Sequence, residues 1–134
     1  MIKKETKKVV KIPKVKTIPQ LVSELDKYFS VYIRTRDIDE FGITKCFTCG
    51  KIAHWRTLQN GHYISRSFFG VRWDEKNCAP QCVRCNIYRE GNKPEYTTKL
   101  IEKYGIGILE ELNIKKNRHA KMERFVLEIS FINL

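Results

Sequence analysis

Two Cys-x-x-Cys pairs, Cys46-Phe-Thr-Cys49 and Cys82-Val-Arg-Cys85, constrain this chain more than any other feature. Each pair presents two thiolates from one tight turn, and two such pairs brought together from distant parts of the chain suit a tetrahedral Zn²⁺. Four sulfurs fill the coordination sphere and leave no place for water, so the expected zinc is structural. The gap from Cys49 to Cys82 is 32 residues, wider than the roughly fifteen to twenty of a simple zinc ribbon. The chain can therefore build something inside the bracket. His62 and Asn77 fall in that gap, and Asn86 directly follows the last cysteine of the second pair.

With 134 residues, 42% of them hydrophobic, the chain fits one domain whose modest core a metal clip would supplement. The net charge of +11 is unevenly spread. Residues 1–16 carry seven Lys against Glu5, and residues 51–90 carry seven Lys and Arg against three acids. Such concentration beside the Cys/His region favours a polyanionic partner, DNA or RNA, over Lys that serves only solubility. Five cysteines, an odd number, together with a charged start, Met1-Ile-Lys-Lys-Glu, point to a reducing compartment and metal binding rather than a disulfide framework. No apolar run approaches the roughly twenty residues of a membrane span.

In chain order, residues 1–16 read as a flexible basic arm. Residues 17–36 read as an amphipathic helix, with Pro19 in its first turn and Leu21, Val22, Leu25, Tyr28, Phe29, Tyr32 and Ile33 as an apolar stripe facing the core. Lys51 to Ile64 is compatible with a short hairpin, and Ser65 to Glu75 with a loop pinned by Phe68, Phe69 and Trp73. A helix is expected from the second cysteine pair to about Glu90, ended by Gly91. Further helices are expected over Pro94–Tyr104, Gly107–Lys116 and Arg118–Ile132, the last with a strand alternative for Val126–Ile132. The fold class is α+β, with a core over residues 43–91 flanked by helices.

The phrases Asn60-Gly-His-Tyr-Ile-Ser-Arg66, Trp73-Asp-Glu-Lys-Asn77, Gln81-Cys-Val-Arg-Cys-Asn86 and Gly91-Asn92, followed by Tyr96 and Lys103-Tyr-Gly105, carry a resemblance. Over residues 46–112 the chain resembles the HNH endonucleases, and within them the phage NinG/Rap recombination nucleases. The resemblance implies a zinc-stapled, treble-clef-like ββα-metal core and a metal-dependent endonuclease. The NinG/Rap likeness suggests branched DNA such as Holliday junctions or D-loops, while HNH chemistry alone would equally allow nicking or cutting of duplex DNA. It also implies the cytoplasm of a bacterial host as the setting, and leaves a homodimer open.

By position, the resemblance makes His62 the general base and Asn86 a ligand of a catalytic Mg²⁺ or Mn²⁺. It makes Asn77 a brace for the intervening loop, and Cys46, Cys49, Cys82 and Cys85 the zinc ligands. Many relatives carry Asp or His just before the base, where this chain has Gly61. The second metal ligand would then be Asn60, Gln59, a backbone carbonyl, Asp74, Glu75 or water. Arg66, Arg89, Lys7, Lys8 and Lys11 are candidates for phosphate contacts.

Plainer readings stand beside these. Asn86 could cap a helix, and His54 could replace a cysteine at zinc. Cys78 reads as a small buried apolar residue, and His119 as an exposed one. The non-enzymatic alternative is a zinc module that binds nucleic acid by charge alone.

Overall fold

Helix α1, Ile18–Thr35, forms where the three- and four-residue spacing places it. Thr17 caps it, accepting from the Gln20 N–H while the Gln20 side chain accepts from the Thr17 N–H. The computed structural model describes residues 8–118 and 127–128. Leu21, Leu25, Phe29 and Ile33, four apart, are the buried row, each contributing roughly 1.5–3 kcal/mol by leaving water. Tyr28 and Tyr32, expected in the core, lie outside that row and are 62% and 38% exposed. Their positions on the helix turn them toward solvent.

Strands β1, Ile43–Lys45, and β2, Ile52–His54, pair antiparallel across the first cysteine pair, with Thr44 opposite Ala53. Gly50, at φ +76°, sits in their turn, and its N–H bonds the Cys46 carbonyl at 2.9 Å. A single 3₁₀ turn, Trp55–Thr57, leads to β3, Gln59–His62. The hairpin expected within residues 51–64 therefore does not form. The first half of that segment pairs backward, and β3 pairs forward with β4, Cys78–Gln81, setting His62 opposite Cys78.

Between β3 and β4 lies mostly loop, with one turn of helix, α2, at Phe69–Arg72. A Cβ on Gly70 would stand 2.0 Å from the Lys115 carbonyl oxygen, so only glycine lets α2 press so close to the backbone at Lys115. The α-helix expected up to Glu90 is instead one wide turn of π type, Arg84–Tyr88. Beyond it Glu90, Gly91 and Asn92 all have positive φ. That run of left-handed backbone stops helical propagation and turns the chain into α3, Lys93–Tyr104.

Gly105 ends α3, and α4 follows at Ile108–Lys116. Tyr96, Leu100, Ile108 and Leu112 pack with Ala79 of β4 as one core cluster, while Phe29 and Ile33 close over Cys78 as another. Buried Cys78 thus fills apolar space. Of the final helix expected over Arg118–Ile132, all but Arg118, Leu127 and Glu128 lies outside the described residues, as does His119. Residues 8–16 are exposed and carry no helix or strand.

Candidate functional site

The β1–β2 turn and the turn after β4 bring four sulfurs together. Those of Cys46, Cys49, Cys82 and Cys85 lie within 4.8 Å of one another. Cys49 and Cys82 are 3.7 Å apart, close to the ~3.8 Å edge of a tetrahedron with zinc–sulfur bonds of ~2.3 Å. The Cys85 N–H reaches Cys82 Sγ and the Asn92 amide reaches Cys85 Sγ, both at 3.5 Å, in the manner of groups that stabilise thiolates. The cluster fits a tetrahedral metal, consistent with zinc.

The thiol acidities reflect this convergence. Burial pushes Cys46 up, but backbone N–H groups from Cys49, Cys82 and Thr48, with the Thr48 hydroxyl, outweigh it and bring the thiol down to about 6. Cys49 is pushed up to about 12 by burial and by the sulfurs around it. Four acids this close resist ionising together unless a cation compensates them. His54 is not among them: its Nδ1 accepts from the Arg56 N–H at 3.2 Å and caps the 3₁₀ turn.

His62 ends β3, and its Nε2 lies 2.8 Å from the Arg72 carbonyl oxygen. A carbonyl only accepts, so Nε2 carries the proton and the neutral ring keeps its lone pair on Nδ1. Burial holds the His62 pKa below its ordinary 6.5, partly opposed by that hydrogen bond, so the ring is neutral at physiological pH. The Lys93 ammonium bonds the His62 carbonyl at 2.7 Å and the Tyr63 carbonyl as well, tying the strand end to the start of α3.

A cavity of about 400 Å³ opens here. Its walls include His62, Asn86, Asn60, Arg66, Arg72 and Lys93. Asn86 donates to Gln59 Oε1 at 2.8 Å. Asn60 Oδ1 is buried without a hydrogen-bond partner, an unusual state for an amide oxygen.

A family model described as "Bacteriophage Lambda NinG protein" matches residues 2–130. The chain belongs to the NinG family. Protein ninG of Salmonella phage P22 is 33% identical over 101 residues, which cover 73% of this chain and 46% of that one. For Escherichia phage 933W the identity is 32% over 101 residues, covering 73% and 47%. For Escherichia phage lambda it is 31% over 101 residues, covering 73% and 46%. The chain spans about half the length of the curated NinG relatives it matches. No solved structure matches it.

In this NinG chain, Asn77 stands apart from the cavity. It is fully buried, and its amide accepts from the Ile64 N–H and donates to the Ile64 and Val71 carbonyls at 2.9–3.0 Å. Arg66 is exposed at the cavity rim, while Arg89, Lys8 and Lys11 are exposed away from it. Lys7 lies outside the described residues. Asp74 is held by Lys115 at 2.7 Å and by two backbone N–H groups, and Glu75 by the Tyr32 hydroxyl at 2.5 Å; neither lines the cavity. Among the described residues, no helix is long and apolar enough to cross a membrane.

Sequence reasoning missed Asp26, Arg72 and Lys93, which shape the cavity through contacts made far along the chain. Lys93 carried one signal, its place directly after the Gly91-Asn92 phrase. Asp26 carried none, being one acid on the polar side of an amphipathic helix.

Proposed function

We propose that this NinG-family chain is a metal-dependent DNA endonuclease of the HNH, ββα-metal type, acting on branched recombination intermediates. One observation carries the reading: His62 and Asn86 line the same cavity, although the second cysteine pair separates them in the chain. His62, neutral and with its Nδ1 lone pair free, takes the proton from a water that attacks a phosphodiester. Arg66 and Lys93 at the cavity wall receive the phosphate's charge.

The oxygen donors present fit a hard divalent ion such as Mg²⁺ or Mn²⁺. Asn86 and Asn60 would hold it through their amide oxygens, the Asn60 oxygen being the unpartnered one. Water and the substrate's own phosphate oxygens would complete the shell. Gln59 is occupied by Asn86, and Asp74 and Glu75 are engaged elsewhere. When bound, such an ion stabilises negative charge on the phosphate and the leaving oxygen.

The four-cysteine zinc does no chemistry in this scheme and holds the β1–β2 turn to the π turn that carries Asn86. Lys7, Lys8 and Lys11 of the arm, with Arg89, supply sequence-independent phosphate contacts, and the net charge of +11 favours such a partner. The likeness to the NinG/Rap nucleases supports branched over ordinary duplex DNA. Symmetric cutting of a four-way junction would call for two copies of the chain.

The test is incubation with four-way-junction, D-loop and linear DNA in Mg²⁺ or Mn²⁺, alongside His62→Ala and Asn86→Ala. Cleavage by the wild type alone supports the reading. Equal products from His62→Ala would remove the base assignment. Binding without cleavage by any of the three would leave a zinc-stabilised nucleic-acid-binding module.

A further inference from the structure

We propose that Asp26, on the N-terminal helix, is a positioning residue for His62 and acts through the peptide that joins Arg72 to Trp73. The proposal rests on the nuclease reading in one respect only, that His62 is the base.

The His62 Nε2–H donates to the Arg72 carbonyl at 2.8 Å. That carbonyl closes α2, a helix of four residues, and is one of the carbonyls a helix end leaves without an internal partner. A helix so short has no stability of its own, so the direction of this carbonyl must be set by something outside it. Asp26 sets it. Its Oδ1 accepts from Arg72 Nε at 2.9 Å and its Oδ2 from Arg72 Nη2 at 2.6 Å, a two-pronged ion pair. Oδ1 also accepts from Trp73 Nε1 at 2.9 Å.

The carbonyl His62 uses belongs to the peptide between those two residues. One carboxylate therefore grips the side chains of both residues that this peptide joins. Arg72 Nη1 adds a bond to the Arg66 carbonyl at 3.1 Å, fixing the guanidinium against the loop as well. The Arg72 and Asp26 side chains are only 14% and 26% exposed, so water competes weakly for these bonds.

The consequence is chemical. A fixed acceptor opposite Nε2 selects one tautomer of the neutral ring and leaves Nδ1 as the base. Without Asp26 the peptide can turn away, and the ring can carry its proton on either nitrogen. An Asn at position 26 keeps the shape but presents an N–H₂ to one donor and lacks the charge that holds the guanidinium. A Glu keeps the charge on a longer stem.

The experiment uses the full chain and its Asp26→Asn and Asp26→Glu variants, read by ¹⁵N NMR of the His62 ring and by steady-state cleavage of junction DNA. In the wild type the ring proton is on Nε2. In Asp26→Asn the Nδ1–H form becomes populated, kcat falls roughly tenfold or more, and KM stays within about twofold. Asp26→Glu recovers part of both losses. Trp73→Phe, which removes one of the three donors, shifts the tautomer the same way by less and serves if Asp26→Asn does not fold. A wild-type ring protonated on Nδ1, or an Asp26→Asn protein with unchanged tautomer and kcat, would overturn the proposal. If the wild type cuts no DNA, the nuclease reading falls, and the tautomer shift alone decides whether Asp26 positions the ring.

Discussion

Gln81 occupies the space that any side chain at position 61 would need. A Cβ built on Gly61 would lie 1.9 Å from Gln81 Oε1. Gln81 cannot easily step aside, because it is fully buried and its Nε2 donates to Thr48 Oγ1 and to the Gly91 carbonyl at 3.1 and 2.9 Å. The opposite faces of β3 divide the work: His62 and Asn60 line the cavity, while residue 61 points at Gln81. An acidic side chain at position 61 has no room here.

Gly61→Asp is accordingly expected to lose roughly 1–3 kcal/mol of stability from overpacking and to gain no affinity for Mn²⁺. Denaturant unfolding and calorimetric titration with Mn²⁺ read the two effects. A stable variant with tighter Mn²⁺ binding would show that the strand faces are assigned backwards.

Loss of any one sulfur should be felt throughout the domain. Cys49→Ser or Cys82→Ser is expected to destabilise the fold by several kcal/mol, a large part of the roughly 10 kcal/mol that a complete structural zinc site is worth. Metal analysis of the reduced wild type should return zinc, and chelation should unfold it. Folded protein free of zinc would refute the assignment.

Asn77→Ala removes three hydrogen bonds, two that tie the end of the loop to Ile64 at its start and one that ties it to Val71 of α2. With a net contribution of about 1 kcal/mol per bond, the expected loss is roughly 3 kcal/mol. Hydrogen exchange should quicken first at the Ile64 N–H, whose acceptor is gone.

Asp26 links stability to acid. Burial raises its pKa, but the hydrogen bonds and charge of Arg72, with the Trp73 N–H, outweigh burial and hold it below the ordinary 3.8. A carboxylate with a depressed folded pKa contributes fully above its unfolded value and loses that contribution as pH falls through the folded one. The stability gap between wild type and Asp26→Asn should be constant at neutral pH and narrow once pH drops below 3.8. A gap that widens on acidification would contradict the ion pair.

What could be read before folding was whatever is written locally. The cysteine spacing anticipated the sulfur cluster, and the three- and four-residue periods of α1, α3 and α4 placed those helices within a residue or two. Strand pairing was not local: Ile52–His54 could equally have paired forward, and instead it folds back onto Ile43–Lys45 across the turn that holds Cys49 and Gly50. The π turn was hidden because nothing in Arg84–Tyr88 forbids an ordinary helix, and the break comes from the left-handed residues after it. Asp26 and Arg72 meet across 46 positions, a distance at which no period or motif speaks.

Asp26, Phe29 and Ser30 of α1 form a wall of the same cavity that His62 and Asn86 line. The cysteine-bracketed segment is therefore not a portable cassette. Trimmed to its motifs or grafted elsewhere, it would keep its knuckles and leave one side of its chamber behind.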